Sequence, residues 1–224
     1  MKQKTVLKRL LTVSLIVIGI LILTAAAALI LLEVRTNAML DDYSSVYDNE
    51  KYQKKVTTDN VEVITQDISC GYAVIEMFSS WDGKSITEET LYNEYGRVVT
   101  STGKSFRDEM NKQFPEYTTT MHKYLSNTEL IDKAYNSLSK GIPVPFEWAA
   151  PYNGEWTLHY SLITGMDIPN DEIVIANPYG YYETLSLNDF LDRTGFEAYS
   201  EMPLYLKLAF AFGIFEKNTI FTVE

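Results

Sequence analysis

The sequence predicts an α+β domain that follows one long apolar segment near the N-terminus. Helical patterns come first along the chain and strand patterns come later, which is typical of α+β proteins. The uncharged apolar run over residues 10–32 is longer than the roughly 20 residues that a helix needs to cross a bilayer. Hydrophobic residues make up 46 % of the 224 residues, which is enough for a packed core.

The charges on either side of the apolar run predict its orientation. Basic residues precede the run and acidic residues follow it: Lys2, Lys4, Lys8 and Arg9, then Glu33, Asp41 and Asp42. By the positive-inside rule, the N-terminus is cytoplasmic and the rest of the chain is extracellular. A cleaved signal peptide is the alternative, because Ala25–Ala28 offer small residues for cleavage, but the run is long for a signal peptide.

We therefore expect a single-pass protein of the cell membrane with four segments. These are a cytoplasmic basic tail (1–9), a transmembrane signal-anchor (10–32), a juxtamembrane spacer (33–58) and a folded domain (59–224).

The folded domain is predicted to open with a short strand and then a helix that begins at the only cysteine. Val61–Ile64 alternates between apolar and polar residues as strands do. From Cys70 to Trp81, apolar residues recur at steps of three and four, the spacing of one buried helix face. Ser69 and Asp67 lie just upstream, and either could cap the first turn.

A cysteine at a helix N-terminus is suited to nucleophilic chemistry. Unpaired backbone N–H groups and the helix dipole favour an anion there, which lowers the pKa of a thiol. Gln66 lies upstream and offers an amide donor for the oxygen of a carbonyl group that Cys70 attacks. The alternative is that Cys70 is simply a small buried hydrophobic residue. A free thiol outside the cytoplasm is nevertheless unusual, since structural cysteines there normally pair.

Caps, prolines and alternation predict the remaining elements. Helices are expected at 87–95, 105–114 and 127–140, with a strand at 117–124 between the last two. Residues 142–148 are expected to be extended, and their two prolines, Pro143 and Pro145, indicate an edge strand. The later elements are strands at 156–166 and 171–177, a helix at 184–193 capped by Ser186, a helix at 203–212 and a strand at 219–223.

The two strands at 156–166 and 171–177 bring His159 and Asn177 together. The turn at Pro169–Asp171 makes the strands an antiparallel hairpin, and the midpoint between His159 and Asn177 falls next to that turn. We therefore expect the two residues to pair across the strands. Asn177 would hold one tautomer of the imidazole, and His159 would take the proton of the Cys70 thiol.

Four motifs, in this order along the chain, carry a family resemblance: Gln66-x-x-x-Cys70-Gly71, Gly141-Ile142-Pro143-Val144, His159-Tyr160-Ser161-Leu162-Ile163-Thr164-Gly165 and Ala176-Asn177-Pro178-Tyr179-Gly180. Together they resemble the C39-like branch of the papain-like cysteine peptidases. The resemblance implies a papain-like fold in which the Cys70 helix packs on a C-terminal antiparallel sheet. It also implies that Cys70 is the nucleophile, His159 the base, Asn177 the orienting residue and Gln66 the oxyanion donor. The family often has Asp where this chain has Asn177, so the imidazolium would lose stabilisation by a charge.

The predicted function is a membrane-anchored extracytoplasmic cysteine peptidase that acts on a peptide or protein through an acyl-enzyme. One alternative is an acyl-transfer enzyme on the same fold, such as an amidase or transpeptidase. Another is a non-catalytic peptide-binding module. The net charge of −11 argues against nucleic acid as a partner. We expect no cofactor and no metal site, because His122 and His159 are the only two histidines.

Overall fold

A computed structural model describes residues 2–224, with side chains from residue 7 onward. The helices are α1 (Lys2–Met39), α2 (Cys70–Trp81), α3 (Glu88–Tyr95), α4 (Gly103–Gln113), α5 (Asn127–Ser139), α6 (Leu187–Thr194) and α7 (Leu204–Ala211). The strands are β1 (Val56–Thr57), β2 (Thr119–His122), β3 (Val144–Tyr152), β4 (Glu155–Asp167), β5 (Glu172–Asn177), β6 (Tyr181–Leu185) and β7 (Thr219–Val223). Short 3-10 helices lie at Ser44–Val46, Glu50–Tyr52 and Ile168–Asn170.

The strands form one antiparallel sheet with a separate apolar core on each face. The strand order is β2-β7-β3-β4-β5-β6, and β1 pairs with β4 outside this path. One core lies between the sheet and α2, and it includes Phe78, Phe106 and Leu162. The other core lies under α5 and α6, and it includes Trp148 and Phe190. The predicted α+β class is confirmed, as is the packing of the cysteine helix on the sheet.

The strand predicted at Val61–Ile64 is wrong. The backbone groups of this segment bond to side chains instead of a neighbouring strand. The N–H of Glu62 donates to Ser80 Oγ at 3.1 Å, and the carbonyl of Val61 accepts from the hydroxyl of Tyr182 at 2.7 Å. The strand of this region is β1, which lies earlier in the chain and pairs with residues 165–166 of β4.

The predicted edge position of the two-proline strand is also wrong, because β3 lies between β7 and β4. Its pairing with β7 covers only Phe146 and Glu147, so it starts just after Pro145. A proline at this position removes no N–H from that short ladder. The strand β6 was not predicted either: residues 184–185 belong to it, and α6 begins only after its predicted cap, Ser186.

Helix α1 is long and apolar enough to cross a membrane. Its most apolar window has a mean hydropathy of 3.1, and none of that window is buried in the folded chain. The segment that follows, predicted as a spacer, packs against the domain. Val46, Tyr52 and Val56 are buried in the core under α5, and the hydroxyl of Tyr52 donates to Asp132 at 2.7 Å. The domain boundary at residue 59 stays a prediction.

Candidate active site

Helix α2 begins at Cys70, as predicted, and Ser69 is its N-cap. The Ser69 Oγ accepts from the N–H of Tyr72 at 3.2 Å, which satisfies one free donor of the first turn. Asp67, the other candidate cap, does not cap the helix. Cys70 is a free thiol and is half-buried.

The turn before Cys70 is held by a residue that sequence reasoning missed. The buried carboxylate of Glu88 accepts from the backbone N–H groups of Asp67, Ile68 and Ser69 at 2.8 to 3.0 Å. Three hydrogen bonds from consecutive residues fix the path of the chain into α2. Nothing local in the sequence signals this contact, because Glu88 lies about 20 residues away and reads as an ordinary first-turn acid of α3.

The surroundings of the thiol favour its neutral form. Burial raises the pKa of Cys70 to about 11, and the carboxyl of Glu147 adds to the rise. The backbone N–H groups of Tyr160 and Gly71 stabilise the thiolate, but their effect on the pKa is smaller than that of burial. The helix N-terminus therefore does not by itself activate this cysteine.

His159 and Asn177 are joined by a hydrogen bond, and both are buried. The distance between His159 Nε2 and Asn177 Oδ1 is 3.0 Å. The two residues lie on adjacent antiparallel strands, as predicted, but they are not direct cross-strand partners. The ladder between β4 and β5 ends at the pair Leu162–Ala176, and a bulge near Gly165 shifts its register. The hydrogen bond therefore forms just beyond the last paired residues.

The contacts of Asn177 fix the tautomer of the imidazole. Asn177 Oδ1 accepts from the N–H of Tyr179, and its Nδ2 donates to Glu183 Oε2, both at 3.0 Å. Since Oδ1 is thereby the acceptor, His159 Nε2 carries the proton and Nδ1 keeps a free lone pair. Glu183 in turn accepts from Arg193 at 2.8 Å. A chain of hydrogen bonds therefore connects the imidazole through Asn177 and Glu183 to Arg193. Sequence reasoning missed Tyr179, Glu183 and Arg193.

The aromatic ring of Tyr179 covers the imidazole. The two ring centroids lie 4.2 Å apart with an interplanar angle of 20°, which is a stacked arrangement. The Tyr179 hydroxyl bonds to Thr157 at 3.0 Å, which holds the ring in place. Burial lowers the pKa of His159 to about 4, although the hydrogen bond to Asn177 acts in the opposite direction. The imidazole is therefore neutral at pH 7.

The thiol of Cys70 contacts the backbone of β4 one residue after His159. Cys70 approaches the backbone N–H of Tyr160, the residue directly after His159. Within residues 7–224, no hydrogen bond joins the side chains of Cys70 and His159.

Gln66 is held beside the loop that follows Asn177. Its N–H donates to the carbonyl of Pro178 at 2.8 Å, and Thr65 forms a bridge with Tyr179. The side-chain Oε1 of Gln66 is buried and finds no hydrogen-bond partner in the described chain. Oε1 is an acceptor, so the oxyanion role predicted for Gln66 depends on its Nε2 donor.

The sequence profile of the Peptidase_C39 like family matches residues 45–202, which is most of the chain. The chain belongs to the peptidase C39-like family. The matched range contains Gln66, Cys70, His159 and Asn177, and it also includes residues 45–58, which pack on the domain.

Among solved structures, the C39-like domain is similar to a double glycine motif protease from an AMS/PCAT transporter, crystallised in complex with the leader peptide. The identity is 13 % and the TM-score 0.46, and the match covers 76 % of this chain and 98 % of the other. A search of curated proteins finds no significant match.

Proposed function

We propose that this C39-like protein is a cysteine peptidase anchored in the cell membrane, with its catalytic domain outside the cytoplasm. Cys70 is the nucleophile, His159 the general base and acid, and Asn177 the orienting residue. The observation that carries the proposal is the 3.0 Å hydrogen bond between His159 Nε2 and Asn177 Oδ1. It leaves Nδ1 as the basic nitrogen of a buried imidazole whose sequence neighbour contacts the thiol.

In the proposed mechanism, the proton moves when the substrate is attacked. Cys70 Sγ attacks the peptide carbonyl carbon while its proton passes to His159 Nδ1. The oxyanion is stabilised by the backbone N–H of Cys70 and the side-chain amide of Gln66. The imidazolium then gives its proton to the leaving amine, which departs and leaves a thioester on Cys70. Attack by water, with His159 as base, releases the acid product and the free thiol.

The pKa values favour this order over a resting thiolate–imidazolium pair. With the pKa of Cys70 near 11 and that of His159 near 4, both groups are neutral before substrate binds. Asn177 carries no charge that would stabilise an imidazolium at rest. Proton transfer concerted with attack avoids the cost of creating two buried charges in advance.

The membrane part of the proposal rests on α1 and on the charges around it. Apolar side chains are exposed all around α1, and basic residues precede its apolar run while acidic residues follow it. We expect a cysteine introduced by Glu201→Cys in a Cys70→Ala background to react with an impermeant maleimide in intact cells. A cysteine introduced by Lys4→Cys is expected to react only after lysis, and the reverse pattern would contradict the proposed orientation.

The test of catalysis is a comparison of Cys70 reactivity and peptide cleavage in matched variants. Iodoacetamide labels the only cysteine, so the labelling rate can be followed by intact mass. At pH 7 we expect His159→Ala to lower this rate about a hundredfold, since general-base assistance is lost. His122→Ala is the matched control, because His122 bonds only to Thr222 on β7. Equal rates in the wild type and His159→Ala would overturn the base role.

Cleavage is then assayed with a peptide library, in water and with added glycine amide as an amine acceptor. Loss of all products in Cys70→Ala is expected. Products that carry the amine would identify acyl transfer instead of hydrolysis, because both reactions share the thioester.

A non-catalytic peptide-binding module is the second candidate, and a specific observation favours it. The half-buried thiol is neutral at pH 7, and it makes no hydrogen bond to the imidazole among the described residues. In that case library peptides bind without cleavage, and His159→Ala leaves both binding and alkylation unchanged.

A further inference from the structure

A cavity of about 240 Å³ lies beside Cys70 and Tyr160. Tyr160 lines the cavity, and His159 is not among the residues around it. Glu147 is the direct cross-strand partner of Tyr160 and therefore points to the same side. The cavity also contacts Cys70 itself, and its apolar walls come from Val98, Leu158 and Phe215.

Three residues that line this cavity each have a buried side-chain oxygen without a hydrogen-bond partner in the described chain. These oxygens are Glu147 Oε2, Tyr160 Oη and Thr100 Oγ1, from residues that are 2 %, 5 % and 2 % exposed. Leaving a buried polar group unsatisfied costs on the order of 1–3 kcal/mol each. Three such atoms around one cavity beside the nucleophile indicate a group that arrives from outside the chain.

Within residues 7–224, the carboxyl of Glu147 also has no oppositely charged partner. Burial, with a smaller contribution from the neighbouring carboxylate of Glu216, raises its pKa to about 8. Glu216 is itself paired with Lys123 at 2.8 Å, so that lysine is already engaged. The other titratable groups that act on this face, Cys70 and Tyr160, are both acids. A cation in the cavity would supply the missing opposite charge and would favour the ionised form of Glu147.

We propose that this cavity binds an alkylammonium group of the substrate, as carried by a lysine side chain. An ammonium has three N–H donors and no acceptor, which matches the three free oxygens. Its alkyl stem is apolar, which matches the walls formed by Val98, Leu158 and Phe215. The net charge of −11 also attracts cations to the protein. The inference rests on the proposed function in that it assigns a binding pocket to the same site.

Thiol reagents that differ in charge test the cavity without a known substrate. The full-length protein, in detergent, is treated with 2-aminoethyl methanethiosulfonate, which is cationic, or methyl methanethiosulfonate, which is neutral. In each reaction Cys70 sulfur forms a disulfide with the reagent and methanesulfinate leaves. We expect the cationic reagent to react faster by at least about tenfold relative to the neutral one, and Glu147→Gln to remove most of this preference. An equal ratio of rates in the wild type and Glu147→Gln would overturn the proposal.

A matched control tests whether the preference for the cationic reagent depends on Glu147 itself. Glu109 is also a buried carboxyl, but it lies on α4 and accepts hydrogen bonds from Tyr95 and Gln113. Glu109→Gln removes one buried carboxyl group, as Glu147→Gln does, and is expected to keep the preference for the cationic reagent. A loss of preference in both variants would attribute it to the general negative charge and overturn the assignment.

Two further measurements keep the proposal testable if Glu147→Gln fails to fold. In the wild type, the rate of a permanently charged trimethylammonium reagent relative to that of the neutral reagent is expected to increase as pH rises through about 8. Glu147 ionises in this range. A flat ratio would overturn the proposal. Peptides with lysine are also expected to protect Cys70 from the neutral reagent better than the same peptides with acetyl-lysine.

Peptides with free and acetylated N-termini distinguish the lysine side chain from a terminal amine. Protection that depends on the N-terminus instead of the lysine would overturn the lysine assignment. These ratios do not depend on His159, so they can fail or succeed separately from the catalytic test.

Discussion

Two consecutive residues of β4, His159 and Tyr160, differ in the hydrogen bonding of their side chains. The imidazole of His159 has a hydrogen-bond partner, a stacked ring and a supporting chain of contacts behind it. The hydroxyl of Tyr160 is equally buried, yet it and the nearby Glu147 have polar atoms without partners in the described residues. The imidazole of His159 is therefore held by hydrogen bonds, while the hydroxyl of the next residue, Tyr160, has no partner among the described residues.

The difference teaches how to separate catalytic support from a binding pocket in this fold. A catalytic base must keep one tautomer and one orientation, so its partners belong to the protein itself. A binding pocket has to exchange water for a ligand, so its polar atoms stay free of internal partners. The following predictions test whether each side behaves in this way.

The largest expected effect concerns Asn177, the hydrogen-bond partner of His159. Asn177→Ala removes the acceptor of His159 Nε2, so the imidazole can rotate or change tautomer. We expect the rate of Cys70 alkylation at pH 7 to fall about a hundredfold. Asn177→Asp keeps the acceptor and adds a charge, so it is expected to raise the pKa of His159 and to retain the rate. Identical behaviour of the two variants would show that Asn177 does not orient the imidazole.

The next largest effect concerns the buried carboxyl of Glu147 and the stability of the protein. The pKa of Glu147 is raised to about 8 in the folded state, above the unfolded value of roughly 4.3. The folded protein thus binds the proton more tightly, and this stabilisation is present at low pH and is lost as pH rises through the folded pKa. Between pH 6.5 and 8, the free energy of unfolding should fall by about 2 kcal/mol more in the wild type than in Glu147→Gln.

Urea denaturation at several pH values measures this difference. His159 has a lowered pKa, so its contribution to stability is lost only as pH falls through about 6.5 toward about 4. The chosen window therefore reports mainly on Glu147. Parallel curves for the two proteins would contradict a buried carboxyl without a cation.

A smaller effect is expected where α2 meets the cavity. A Cβ built on Gly71 lies 2.4 Å from Thr100 Oγ1, which is far too close. Gly71→Ala should therefore lower the free energy of unfolding by about 1–2 kcal/mol, although Ala is normally the better helix residue. The double variant Gly71→Ala with Thr100→Ala relieves the contact and should recover most of the loss. Additive effects in this cycle would exclude the clash as the cause.

The smallest effect is expected for Glu183, which bonds to Asn177 and not to the imidazole itself. Glu183→Gln weakens the pair with Arg193, but the amide can still accept from Asn177. We expect the alkylation rate of Cys70 to fall only a few-fold, with a loss of stability of about 1 kcal/mol or less. Asp108→Asn, which alters an exposed pair with Arg107, is the control. A loss as large as that of Asn177→Ala would place Glu183 in direct support of catalysis.

Local signals in the sequence predicted local structure well. The helix start at Cys70 with its Ser69 cap, the Ser186 cap of α6 and the hairpin that brings His159 near Asn177 all follow from neighbouring residues. Caps and turns act within a few residues, so their patterns can be recognised without the fold.

The features that were not predicted depend on distant contacts. Glu88 holds the turn before α2 from about 20 residues away, and Glu147 meets Tyr160 only through the register of β3 and β4. The pKa of Cys70 was expected to fall, but burial outweighs the helix N-terminus and raises it. Burial and register are properties of the whole sheet, so no single stretch of sequence reports them.

The packing of residues 43–57 on the domain joins the candidate site closely to α1. Tyr47 bonds to Asp171, and β1 pairs with β4, so the stretch after α1 is part of the folded body. If α1 spans the bilayer to residue 32, its last turns rise roughly 10 Å further to Met39, which is buried against the domain. The active site would then stand at a fixed height above the membrane. A peptide bond would be cut only where another protein presents it at that height, so geometry as well as sequence would select the substrate.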